Sequence, residues 1–130
     1  MAYVDIVTAL AILQFIVFGF KVGKARGVYG VKAPATTGNE IFERNFRVQQ
    51  NTLEQLIVVI PCLWIFAATL SPLWAAVLGF LFVICRAWYA WGYYRSAGGR
   101  HYGFLFGSWA TGGLLVGAFV GVLRNLYLAA

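Results

Sequence analysis

Polar and apolar positions divide this chain into four long apolar blocks separated by short polar ones. The first block runs from about Val4 to Phe20 and closes at Lys21, whose long stem can snorkel to an interface. It is short for a crossing of ~20 residues and borrows Tyr3 and Val22. Lys21, Lys24, Arg26, Gly27, Gly30, Lys32 and Pro34 then make a basic, glycine-punctuated connector. The run Pro34–Gly38 ends any helix, and Gly38-Asn39 marks the break before the next. The second helix is predicted over Glu40–Thr69, with only its later half in lipid and a kink at Pro61, where the carbonyl of Ile57 loses its donor. Leu70-Ser71-Pro72-Leu73 suffices only for a tight hairpin, so the second and third helices are antiparallel neighbours. The third starts near Leu73, stays apolar to Cys85, then turns aromatic and basic through Arg86, Trp88, Tyr89, Trp91, Tyr93, Tyr94 and Arg95. Ser96–Arg100 closes it, and an uncharged fourth span follows over about Tyr102–Leu123.

Composition turns four helices into four membrane spans. Hydrophobic residues make up 62% of the 130 and charged residues 11%; soluble domains average roughly 45–50% and 25%. A core this small cannot hide that excess, so lipid must cover it. The expectation is one all-α domain over residues 1–130, an integral membrane four-helix bundle. The net charge of +6 does not indicate nucleic acid, because the basic residues flank apolar blocks. Loops one and three carry Lys21, Lys24, Arg26, Lys32, Arg95 and Arg100, against Asp5, the Ser71-Pro72 turn and Arg124 on the other side. The positive-inside rule then puts both termini outside the cytoplasm and the polar end towards it, in a bacterial inner membrane or an endoplasmic reticulum. Met1-Ala2-Tyr3-Val4-Asp5 lacks the basic start of a cleavable signal. Cys62 and Cys85 sit within apolar runs and His101 is the sole histidine, so no metal site is expected. Gly113, Gly117 and Gly121 recur every fourth residue after Gly103 and Gly107. They fit either close helix approach or ordinary glycine usage in membrane helices.

Candidate chemistry lies where charge persists beside the apolar run. Glu43, Arg47, Gln50, Asn51 and Glu54 fall within a ~100° sector of the second helix. Charges of both signs in or near lipid need a polar cavity or each other. The plainer alternative is a helix end neutralised by a Glu43–Arg47 pair. Arg86, Tyr89 and Tyr93 share a face of the third helix, which the hairpin turns towards Arg47, Asn51 and Glu54. Trp88, Trp91 and Tyr94 read as an interfacial aromatic belt. Arg86 lies deepest and is expected to form a structural pair with Glu43 or Glu54. A cavity offering the forked donors of Arg26, Arg47 and Arg100, with Glu54, Asn51 and tyrosine hydroxyls, suits a small zwitterion or anion.

The spacing Glu43-Arg44-x-x-Arg47-x-Gln49-x-Asn51-x-x-Glu54 resembles the second-helix signature of the MAPEG family, membrane-associated proteins in eicosanoid and glutathione metabolism. Within it, FERNFRVQQN is most similar to microsomal glutathione transferases and leukotriene-C synthase. The run from Arg86 to Arg100 resembles the third-helix signature, and Arg26 before Thr36-Thr37-Gly38 matches the first-loop arginine. The resemblance implies a homotrimer that binds glutathione between subunits, with membrane lipid around it. Arg47, Asn51, Glu54, Tyr89, Tyr93 and Arg100 would come from one subunit, and Arg26 and Gln49 from the next. Helical geometry is compatible, since Gln49 points about 120° from Glu43. Arg100 would be the catalytic residue, a cation that holds the thiol as thiolate. The co-substrate would be a lipophilic electrophile, which is conjugated, or a lipid hydroperoxide, which is reduced. Two departures bear on specificity. Gln55 replaces a tyrosine of the synthase, which would loosen the ligand, and Gly27 replaces its second loop arginine, which argues against leukotriene synthesis proper.

Two rival readings differ from a transferase. A non-catalytic lipid-binding scaffold has no need of Arg47, Glu54, Tyr93 and Arg100 together. A small four-helix multidrug transporter usually centres on a carboxylate within its first span, whereas Asp5 stands at the very start.

Overall fold

The computed structural model describes residues 1–130 as four long helices and one short 3-10 turn. They are α1 (Ala2–Tyr29), α2 (Glu40–Thr69), α3 (Pro72–Arg95), the turn Ala97–Arg100, and α4 (His101–Ala129). Each long helix contains a stretch long and apolar enough to cross a membrane. With the family established below, the chain is an integral, multi-pass membrane protein.

The second helix has the predicted bounds, and its start has a clear cause. Asn39 Oδ1 accepts from the backbone N–H of Ile41 (2.9 Å) and Phe42 (3.0 Å), satisfying two donors at the helix start. Ser71 does the same for α3 through the N–H of Trp74 (3.2 Å), with Pro72 preset for the first turn. Pro61 lies within α2, which continues through it.

The first helix departs from expectation. It continues past Lys21 to Tyr29, so Lys21, Lys24 and Arg26, assigned to a connector, occupy its last turns and only Lys32 follows it. Charge ends a membrane span but not a helix, because water solvates Lys21 and Lys24 wherever the helix carries them. Gly23 and Gly27 each cost about 1 kcal/mol of helix propensity, too little to break a helix already nucleated. The helix ends at Gly30, which adopts φ 67°, ψ 28°, a left-handed cap open to glycine. The fourth helix likewise begins earlier and ends later than expected, because neither His101 nor Arg124 to Ala129 presents a breaker.

All four helices contribute to the main core. Val4, Val7 and Ala11 of α1 meet Val59 and Leu63 of α2, Ala75, Ala76 and Phe82 of α3, and Leu114 and Ala118 of α4. Gly79 lets three helices converge, since a Cβ there would lie 2.7 Å from Val7 Cγ1 and 3.0 Å from Leu63 Cδ1. Small residues bring α4 in as well. A Cβ on Gly103 would overlap the backbone of Tyr89, and one on Gly117 or Gly121 would overlap Phe66 or Thr69. Close approach is therefore the reason for glycine at these α4 positions. Polar side chains tie the helices together at this core, although Gln14 Oε1 is buried without a partner. Trp64 Nε1 donates to Thr8 Oγ1 (3.1 Å), and Gln14 Nε2 donates to the Val83 carbonyl (2.9 Å).

A separate cluster of Phe18, Val48, Tyr89, Ala90 and Tyr93 lies at the polar end of the bundle and braces α3 against α2 and α1. Many large apolar side chains, among them Leu13, Phe20, Val116, Phe119 and Leu123, remain exposed around the four helices, as lipid contact demands.

Candidate functional site

The site is built where the first half of α2 faces the second half of α3. A cavity of about 280 Å³ is lined by Arg47, Gln50, Asn51 and Glu54 of α2, Tyr89 and Tyr93 of α3, and Arg100. Residues 47, 50, 51 and 54 recur at helical spacing, so a single α2 face supplies four polar groups. Tyr89 and Tyr93 stand one turn apart, buried in the wall, with ring centroids 5.7 Å apart. A larger, adjoining cavity of about 590 Å³ shares Asn51, Tyr89 and Arg100 as a common wall. Ala97, Gly98, His101 and Phe104 complete it. Arg100 thus stands between a strongly polar chamber and one with a mixed lining.

The placement of Arg100 follows from the glycines before it. Ser96 Oγ accepts from the N–H of Gly99 (3.2 Å) and starts the 3-10 turn. Gly92 and Gly99 then meet backbone to backbone, so that a Cβ on either would overlap the other's carbonyl. The chain therefore doubles back along α3, and Arg100 Nη1 donates to the Tyr93 hydroxyl at 3.1 Å. Its guanidinium carbon lies 5.1 Å from the Tyr93 ring centroid. Neither Gly98 nor Gly99 has positive φ. Gly99 is needed for close approach, and a Cβ at Gly98 would meet open space.

Arg86 corrects the expected pairing. It is 4% exposed, and its partner is neither Glu43 nor Glu54. Nη1 and Nη2 both donate to Asn51 Oδ1, at 2.9 and 2.8 Å, and the guanidinium carbon lies 3.8 Å from the Tyr89 ring centroid. Glu54 instead lines the cavity, as does Arg47, and Glu43 is absent from that lining. A neutral amide serves here because Arg86 lies on the same level as Asn51, with a flat aromatic face beside it. Gln55, the departure next to Glu54, lines neither of these cavities. With Ser108 it lines a void of about 10 Å³ next to Arg86, between α2, α3 and α4.

Six of the eight expected site residues therefore meet in one place: Arg47, Asn51, Glu54, Tyr89, Tyr93 and Arg100. Arg26 and Gln49 do not line that cavity. Arg26 closes the first loop, with Nη1 donating to the Ala35 carbonyl at 2.7 Å and its guanidinium over the Phe42 ring. Gln49 faces α1, where its Nε2 would lie 3.0 Å from a Cβ on Gly19. Five lining residues were not assigned roles from sequence: Gln50, Ala97, Gly98, His101 and Phe104. Gln50 already lay within the polar sector of α2 and could have been included on that ground. His101 and Phe104 carried no such signal, because their place depends on how the turn feeds α4. Of the expected aromatic belt, Trp88 and Trp91 are exposed, whereas Tyr94 is half-buried with Lys21 Nζ 4.6 Å from its ring centroid.

A family model described as MAPEG matches residues 4–120. The chain belongs to the MAPEG family. It is 50% identical over 121 residues to an uncharacterized protein of Synechocystis, covering 93% of this chain and 88% of that one. Over 98 residues it is 41% identical to microsomal glutathione S-transferase 2 of Mus musculus, covering 75% of this chain and 67% of the relative. Over 91 residues it is 36% identical to leukotriene C4 synthase of Cavia porcellus, covering 70% and 61%. The matched span of this MAPEG chain contains both halves of the cavity, from Arg47 on α2 to Arg100 before α4.

Proposed function

We propose that this MAPEG protein is a membrane-bound glutathione transferase that activates the glutathione thiol and joins it to lipophilic electrophiles. The observation that carries the reading is the Arg100–Tyr93 contact at the edge of a chamber that also holds Arg47 and Glu54. Glutathione has two carboxylates, one ammonium, two amides and a thiol. Arg47 suits a carboxylate through its forked donors, Glu54 suits the ammonium, and Asn51 suits an amide. Names of relatives at 35–41% identity, microsomal glutathione S-transferase 2 and leukotriene C4 synthase, support the choice of glutathione over other zwitterions.

In this reading Arg100 stabilises the thiolate, and the Tyr93 hydroxyl, which accepts from Arg100, orients the guanidinium. The bound thiol loses its proton to solvent. Its sulfur then forms the new S–C bond, and the leaving group departs with its electron pair or, in an addition, the product carbon framework takes up a proton. With a lipid hydroperoxide, the sulfur instead attacks the distal oxygen. The O–O bond breaks, the alkoxide takes a proton, and a second glutathione reduces the sulfenic acid to give disulfide and water. The larger chamber beside Arg100 and Phe104 is the approach for the second substrate.

Assembly as a homotrimer completes the site. Arg26 and Gln49 stand away from the cavity of their own chain, so their contact with ligand is assigned across a subunit boundary. One guanidinium nitrogen of Arg26 is held by its loop, and the remaining N–H groups stay available. By the positive-inside rule, the basic first and third loops support both termini outside the cytoplasm and a site that faces it.

The deciding experiment is titration of the purified protein in detergent with glutathione, followed by thiolate absorbance and by turnover of a lipophilic electrophile. Saturable thiolate formation with turnover is expected. Saturable lipid binding without thiolate or turnover would establish the scaffold reading instead.

A further inference from the structure

The least accounted-for charge in the molecule is Arg86. It is 4% exposed within the bundle, and Nε is buried without a partner. Both terminal nitrogens converge on one atom, Asn51 Oδ1. A carboxylate would satisfy such a cation better, so electrostatics alone does not explain the arrangement.

Its consequence lies on the other side of the amide. A carbonyl oxygen has two acceptor sites, and Arg86 takes both, at 2.9 and 2.8 Å. Arginine offers no acceptor, so the amide cannot turn its NH₂ towards Arg86. Asn51 lines both cavities, and the only polar atom left to offer them is Nδ2, a donor. The same guanidinium stacks on Tyr89, the other side chain besides Arg100 that the two cavities share. One buried group thus sets the facing of two residues in the common wall.

We infer that Arg86 is a positioning residue for ligand recognition: it locks Asn51 so that the cavity presents an amide donor, which selects a carbonyl or carboxylate oxygen of the ligand at that point. This rests on the glutathione reading above and names the kind of glutathione atom Asn51 takes. Arg86 touches no reacting atom and acts through Asn51.

The test is a double-mutant cycle on the purified full-length protein, with glutathione as the probe. Binding by the wild type checks the functional reading itself. Given that binding, Arg86→Met should weaken glutathione roughly tenfold in the wild-type background and less than about twofold in an Asn51→Ala background. In turnover, Arg86→Met should raise the KM for glutathione while kcat at saturation changes by less than about twofold. Equal losses in both backgrounds, or a fall in kcat alone, would overturn the inference in favour of a generally structural arginine. Asn51→Asp keeps the inference falsifiable if Arg86→Met fails to fold. It preserves an acceptor for Arg86, removes the donor and adds a negative charge, so thermal stability should hold or rise while glutathione binding drops by roughly tenfold or more. Wild-type affinity in a folded Asn51→Asp protein would overturn the assignment of Nδ2.

Discussion

Arg100→Ala separates binding from activation. Arg100 donates to the Tyr93 hydroxyl at 3.1 Å, and its guanidinium stands on the wall common to both chambers. A thiolate accepting one of its other N–H groups would lie roughly 4 Å from the charge. At that distance two unit charges interact by about 4 kcal/mol at an effective dielectric of 20, and about 1 kcal/mol in water. Arg100 is exposed, so the operative value falls towards the lower end. At 1.36 kcal/mol per unit, the range corresponds to a thiol pKa lowered by about 1–3 units relative to the same site without the cation.

A nearby cation favours the thiolate, so its removal raises the bound thiol towards its free value of about 8.5 or above. The rate profile of Arg100→Ala should move to higher pH by at least about one unit. At neutral pH its turnover should fall about tenfold or more, while glutathione affinity changes little because Arg47 still holds a carboxylate. Arg100→Lys should restore part of the shift, as the charge returns without the fork. The assay pairs thiolate absorbance with conjugation rate across pH. An Arg100→Ala protein with wild-type turnover and an unmoved thiol titration would remove Arg100 from the mechanism and leave it a loop arginine paired with lipid phosphate.

Further expectations concern other parts of the site. Arg47→Ala should raise the glutathione dissociation constant roughly tenfold to a hundredfold, by calorimetry or thiolate titration, for loss of a charge-assisted contact worth ~1.5–3 kcal/mol; unchanged affinity in a folded mutant would make it structural. Mixing a Gln49 mutant with an Arg47 mutant should regenerate some intact sites, measured as recovered turnover after confirmed subunit exchange; no recovery would count against an intersubunit site. Gly99→Ala should cost about 1–3 kcal/mol in stability and sharply reduce turnover, since its Cβ would overlap Gly92 and displace Arg100. Gly98→Ala, whose Cβ meets open space, should do neither, and equal effects of the two would refute the close-approach account.

Sequence pattern was informative where physics punishes alternatives. Arg47, Gln50, Asn51 and Glu54 recur at helical spacing beside an apolar run, so the α2 half of the site was legible from spacing alone. The hairpin at Leu70-Ser71 then obliged α3 to return along α2, which placed Tyr89 and Tyr93 opposite Asn51 and Glu54. The family resemblance, rather than periodicity, singled out Arg100 and Gln49. What escaped were choices settled by geometry finer than a helical turn. Whether Arg86 meets a carboxylate or an amide depends on the relative register of two helices, and the three residues from Asn51 to Glu54 decide it. The end of α1 escaped because a charged residue looks the same in sequence whether it terminates a span or merely emerges from it.

The position of the site also follows from the cost of charge in lipid. The polar face of α2 spans Arg47 to Glu54, about 10 Å along the axis, while the later half of the helix carries no charge. Arg86 lies nine residues before the end of α3, about 14 Å below the turn that carries Arg100. The helices are clothed outside by exposed apolar residues such as Phe104, Phe106 and Trp109 on α4. Phe104 belongs both to that surface and to the lining of the larger chamber. Under the proposed function, glutathione would enter at the polar end, and a lipophilic substrate would approach along the apolar face of α4 and end beside Arg100. Two substrates of opposite solubility would meet at the wall that the chambers share.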